Sequence, residues 1–268
     1  MKLRDKLWIW GQNAGTHHNT RNGNVWNLPG TNRMTPLEGC YYMGIPNCCR
    51  VVMGGIPTPP FDQEAMVLDT LGQVVWSIIG DGGSHREGEA VDLDEVIRIA
   101  KKHPNVTGGI MDDFMNPSRM AIYTPDKLKM YRECLNNAIP GRKLDLWTVI
   151  YTHELKDEAI PYLAEIDRVS FWTWSGHKLL NLDENFARLR ELIGPDKPVL
   201  CGCYMWNYGN RAPMPMDLME YQLDKYYQWL KNGTIEGIIF CSNTIADLEI
   251  KAVDYARAWI KAHGDEDI

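Results

Sequence analysis

The stretch DLDEVIRIAKKHPNVTGGIMDD, residues 92–113, carries one helix followed by one strand, and its reading decides the fold. Asp92-Leu93-Asp94-Glu95 is a helix start, with Val96, Ile97 and Ala100 following at helical spacing. Val106 to Met111 is then a short apolar run, ending in Asp112-Asp113. Gly108 and Gly109 within it allow close approach of a neighbouring backbone.

The same alternation recurs along the chain. Further strands are expected at Leu7 to Gly11, Cys48 to Met53, Val74 to Ile79, Leu144 to Tyr151, Arg168 to Trp172, Pro198 to Tyr204 and Ile235 to Cys241. Helices open at Thr124-Pro125-Asp126, an N-cap with proline at the first helical position, and at Asn181-Leu182-Asp183-Glu184, which runs to Gly194-Pro195. A last helix carries Val253, Ala256 and Ile260 on one face. Eight strands alternating with helices, and no reversal of winding, predict one (β/α)8 barrel over residues 1–268. Three connections read as elaborated loops, all following strands: Asn13 to Ile45 with a short helix near Pro36 to Gly39, Gly80 to Ala90, and Tyr204 to Met216.

A formal net charge of −7 and the lack of basic runs interleaved with aromatics exclude a nucleic-acid surface. No apolar run approaches the ~20 residues of a membrane span. The seven cysteines include Cys48-Cys49 and Cys201 with Cys203, lack the spacing of a zinc or redox pair, and read as small buried apolar residues. With an amino terminus (MKLRDKLWIWGQN) that has no apolar leader core, this makes the cytoplasm the expected location, the alternative being a secreted or periplasmic protein whose leader has been removed.

In such barrels the side chains at strand carboxyl ends form the site. Those positions hold Trp10, Gln12 and Asn13; Asp81 and His85; Asp112 and Asp113; Tyr151, His153 and Glu154; Trp172, Trp174 and His177; Tyr204, Trp206, Asn207 and Tyr208; and Ser242 and Asn243. Flat aromatic rings beside short polar groups suit a sugar, which offers apolar C–H faces within a rim of hydroxyls. Trp76, Trp147, Trp229 and Trp259 are expected in the core or on helix faces. Two adjacent carboxyls oppose each other's ionisation, so one can keep a proton while the other is charged. Glycosidic cleavage needs that division. Glu154 and Asp81 are the further acids that could pair with Asp113 in a two-carboxylate mechanism, Glu154 being otherwise a helix cap.

Met111-Asp112-Asp113-Phe114 resembles the paired-aspartate motif after strand four of the O-GlcNAcase-type β-N-acetylhexosaminidases. Ile150 to Glu154, Phe171 to Gly176 and Pro198 to Tyr208 are similar, in order, to later segments of that family. Together these cover about the central third of the chain. The resemblance implies substrate assistance, with Asp112 polarising an acetamido group and Asp113 as general acid/base. It also implies Trp172 or Trp174 lining the pocket, and Tyr204 with Asn207 or Tyr208 holding hydroxyls. The Asp of the family's Trp-Asp-Asn has no counterpart here, because Trp206 is followed directly by Asn207.

The expectation is therefore a glycoside hydrolase acting on a carbohydrate, with no cofactor and no bound metal, its oligomeric state left open. Two rivals remain. One is a metal-dependent sugar isomerase, epimerase or lyase drawing on His85, His153, His177, Glu154 and Asp112. The other is a barrel that binds carbohydrate without catalysis.

Overall fold

The computed structural model describes residues 1–16, 23–84 and 91–268. Its parallel strands are β1 (Leu7–Gly11), β2 (Asn47–Arg50), β3 (Gln73–Ile79), β4 (Val106–Met111), β5 (Asp145–Tyr151), β6 (Arg168–Trp172), β7 (Val199–Tyr204) and β10 (Gly237–Cys241). Between β7 and β10 stands a small antiparallel hairpin, β8 (Trp206–Asn207) with β9 (Ala212–Pro213). The hydrogen-bonded order β1-β10-β7-β6-β5-β4-β3-β2 closes on itself, which is the (β/α)8 barrel expected from the alternation. The helices are α1 (Pro36–Met43), α2 (Asp62–Leu68), α3 (Leu93–Lys102), α4 (Pro117–Ile122), α5 (Pro125–Asn137), α6 (Ile160–Ala164), α7 (Leu182–Ile193), α8 (Met216–Lys231), α9 (Asn243–Ala246) and α10 (Lys251–His263). Among the described residues no helix is long and apolar enough to cross a membrane.

The chain divides into two compact units, each described by itself below. The first comprises Met1–Arg50, Thr173–Leu182 and Leu200–Ile268; the second comprises Val51–Trp172 and Asp183–Val199.

In the second unit, α3 buries Val96, Ile99 and Ala100, while Lys101 and Lys102 stay in solvent, as the helical spacing requires. Leu128 and Leu135 of α5 are fully buried, each contributing about 2 kcal/mol. Gly108 explains itself: a Cβ there would lie 2.1 Å from the Asp145 carbonyl oxygen on the next strand. Trp76 and Trp147 are core residues, and Phe61 stacks on Trp76 with centroids 5.2 Å apart. In the first unit Trp229 and Trp259 are buried on their helices.

Several boundaries differ from the sequence reading. β2 stops at Arg50 rather than Met53, because Met53 turns back through paired main-chain bonds with Ile56. Gly54 and Gly55 take left-handed conformations in that turn. β10 starts at Gly237, not Ile235, whose N–H bonds the Trp229 carbonyl. α1 runs on to Met43, opened by a reciprocal Thr35–Glu38 capping box and closed by left-handed Gly44. Thr124 holds the N-cap position of α5 without donating or accepting a capping bond through its side chain. Cys134 on α5 is exposed, contrary to the expectation for the cysteines; the other six are buried. The sequence reading gave no bounds for α2, α4, α6, α8 and α9.

Candidate functional site

The chemistry-bearing side chains after the strands fall into an acidic group in the second unit and an aromatic group in the first. The acidic group begins where β4 ends. Asp112 continues the ladder with its N–H bonded to the Ile79 carbonyl, 2.9 Å, and its side chain is buried at 3% exposure. Asp113 then takes a left-handed φ of 44°, costly for a non-glycine residue and common at functional turns. Its N–H donates to Asp112 Oδ1 at 2.9 Å. Its own carboxylate accepts from the Gly82 N–H at Oδ2 and from the Tyr151 hydroxyl at Oδ1, both 2.9 Å.

Tyr151 also serves a second acid. Its main-chain N–H donates to Glu154 Oε2 at 2.9 Å, inside a single 3-10 turn that follows β5. One residue thus ties down both carboxyls, by its side chain and by its backbone. Glu154 Oε1 makes no hydrogen bond with the described residues. Burial pushes the Glu154 carboxyl up to about 7; the Tyr151 N–H opposes this, and the nearby charge of Asp113 adds to it. Burial, with the charges of Asp113 and Asp81, also holds the Asp112 carboxyl well above the usual range. His153 is exposed, with its ring stacked on Tyr151 at 5.5 Å.

Asp81 is a loop brace. Its oxygens accept from Gly54 N–H at 2.8 Å, Gly83 N–H at 3.1 Å and the Ser84 hydroxyl. Arg119 fixes the same loop from α4. It is buried and donates to the main-chain carbonyls of Gly80 (2.5 Å), Asp112 (2.7 Å), Ser84 (3.2 Å) and Asp81. Sequence reasoning missed Arg119, although Asn116-Pro117, an N-cap with proline at the first position, marks the start of its helix. Trp172 is 2% exposed, and its indole N–H donates to Ser170 Oγ at 2.6 Å.

In the first unit Trp174 is half-buried and meets Trp26 edge-on at 5.4 Å, Tyr204 at 5.9 Å and Tyr208 at 6.0 Å. Trp26, also half-buried, was absent from the expected set; its one signal is a large ring in a Gly- and Asn-rich connection. Trp206 is buried and serves this arrangement, its indole N–H donating to the Trp26 carbonyl at 3.0 Å. Asn207 Oδ1 accepts from Gly176 N–H at 3.1 Å. Asn243 is fully buried and exchanges bonds with both main-chain groups of Gln12 at 2.8 Å, while also donating to the Met34 carbonyl. Gln12 Oε1 accepts from Thr16 and, at 3.4 Å, Thr244. Asn13 accepts from the buried guanidinium of Arg50, and Trp10 is buried within β1.

His177 is exposed. His17, His18 and His85 lie outside the described residues. Among the described residues no group of three or more acids, histidines or cysteines is placed to hold a metal ion.

No protein-family model matches this sequence, and no curated protein does. Solved structures do resemble the fold. An endo-β-N-acetylglucosaminidase from Cordyceps militaris shares 14% identity over 97% of this chain and 90% of its own, at a TM-score of 0.54. The chitinase ICChI from Ipomoea carnea shares 12% over 96% and 99%, also at 0.54. The spore cortex-lytic enzyme SleL of Bacillus cereus shares 11% over 96% of this chain and 74% of its own, at 0.53. At such identities the likeness establishes the barrel alone, since this fold hosts many chemistries.

Proposed function

We propose that this chain is a glycoside hydrolase acting on a small glycan or glycoside, with Glu154 and Asp113 as its working carboxyls. The observation that carries the reading is Tyr151, whose hydroxyl bonds Asp113 after β4 and whose N–H bonds Glu154 after β5. A carboxyl titrating at about 7 is suited to donate a proton at neutral pH. Glu154 gives that proton to the glycosidic oxygen as the bond to the sugar breaks. The Asp113 carboxylate faces the positive charge developing at the anomeric carbon. Water supplies the hydroxyl of the product, and its proton restores Glu154. The similar barrels of a chitinase and an endo-β-N-acetylglucosaminidase support the reading as analogy.

The acetamide-polarising role that the resemblance implies for Asp112 asks for a carboxylate open to the sugar. Asp112 is 3% exposed and its carboxyl favours the protonated form, so the proposal rests on Asp113 and Glu154. Turnover of a panel of 4-nitrophenyl glycosides, N-acetylhexosaminides included, tests it. Asp113→Asn and Glu154→Gln are each expected to lower turnover by ~10² to 10⁴. Wild-type rates in both variants, or hydrolysis of no glycoside, would overturn it. Sugar-converting activity abolished by a chelator would instead favour the metal-dependent isomerase class.

A further inference from the structure

A groove of about 490 Å³ lies in the first unit at the amino-terminal ends of β1 and β2, lined among others by Arg4, Tyr41, Tyr42, Asp254, Arg257 and Lys261. That volume is within the ordinary range for small-molecule sites. Asp254, Arg257 and Lys261 are spaced three and four residues apart on α10, so one helix face turns toward it.

Arg257 lies flat on the Tyr42 ring, its guanidinium carbon 3.6 Å from the centroid. Its Nε–H donates to the Tyr42 carbonyl at 2.9 Å, satisfying an orphan carbonyl in the last turn of α1. The capping role uses only that one nitrogen. Neither terminal nitrogen makes a hydrogen bond or ion pair with the described residues. The contrast with other arginines is informative: Arg98, Arg119, Arg142 and Arg188 each spend both terminal nitrogens on protein oxygens. Lys261, one turn beyond Arg257, is exposed and likewise has no ion pair with the described residues. A guanidinium fixed by stacking and by Nε presents a fork that loses little freedom when it meets an oxyanion.

We propose that this groove binds a small phosphorylated ligand, with Arg257 and Lys261 clasping the phosphate. Two unspent cations match a phosphate dianion better than a single carboxylate. Arg4 is already paired with Asp265 at 2.7 Å and adds only background charge. Asp254 is placed to accept hydroxyl protons from the rest of the ligand. Tyr41, 66% exposed, offers a flat apolar wall. The inference is independent of the hydrolase reading.

Calorimetric titration of the full chain with glucose 6-phosphate, inorganic phosphate and glucose tests it. Both phosphate-bearing probes are expected to bind saturably, more weakly as salt is added, and glucose is not. Lys261→Glu and Arg257→Met are each expected to weaken binding about tenfold or more. Lys261 is exposed, so its variant keeps the test valid even where Arg257→Met loosens the end of α1; thermal melting of each variant confirms folding. Three results would overturn the proposal: no saturable binding of either phosphate probe in the millimolar range, unchanged binding in both variants, or equal affinity for glucose and glucose 6-phosphate.

Discussion

Replacing Glu154 by glutamine probes the site without depending on any substrate. The amide is nearly isosteric and keeps an oxygen to accept the Tyr151 N–H, while removing the titrating proton. In the folded chain this carboxyl holds its proton up to about 7, whereas in the unfolded chain it releases it near the ordinary 4.5. Between those values the folded state binds more protons than the unfolded one. Stability therefore falls as pH rises through that window, and levels off above it. Full expression of the difference would be worth about 3 kcal/mol. Because Glu154 is only half-buried, water screens part of this, and about 1–3 kcal/mol is the working range. The assay is urea unfolding of wild type and Glu154→Gln at pH 5 and at pH 8. Wild type should lose more stability between the two than the variant does, by that amount. Asp112 contributes a slope of the same sign to both proteins and cancels in the comparison. Parallel stability–pH curves would refute the reasoning, since Glu154 would then titrate alike folded and unfolded.

Further outcomes follow from the same packing. Asp112→Asn removes a buried carboxyl that resists ionisation, so the variant should melt no lower than wild type above neutral pH, as followed by circular dichroism. Arg119→Met should cost about 3 kcal/mol or more in denaturant unfolding, because four main-chain carbonyls around the Asp113-binding loop lose a buried charged donor. Gly39→Ala should destabilise by ~1–3 kcal/mol, since the new Cβ would lie 2.5 Å from Asn243 Cβ and 3.1 Å from its Cα; an unchanged unfolding midpoint would count against that contact.

Much of the fold was legible because strands and helices announce themselves locally. The runs at 106–111 and 168–172 match β4 and β6 residue for residue, and Pro125 and Gly194 mark helix ends as their backbone preferences require. Local pattern failed where pairing depends on distant chain. Val51 and Val52 look like strand but lie beyond the end of β2 at Arg50. The candidate site was legible only as a pool of residues. Nothing local distinguishes Asp113, turned by its left-handed backbone toward Gly82 and Tyr151, from Asp81, which is spent on Gly54, Gly83 and Ser84.

The sequence by itself determined the alternating architecture and the positions at which polar and aromatic side chains leave the strands, because both follow from periodicity and backbone preference over a few residues. Only the tertiary structure decided what each does there. Asn243 meets Gln12 across 231 positions, Trp206 meets Trp26 across 180, and Tyr151 meets Asp113 across 38. Burial and hydrogen-bond partners separate a brace from a reactive group. Those are set by groups that no short window of sequence contains.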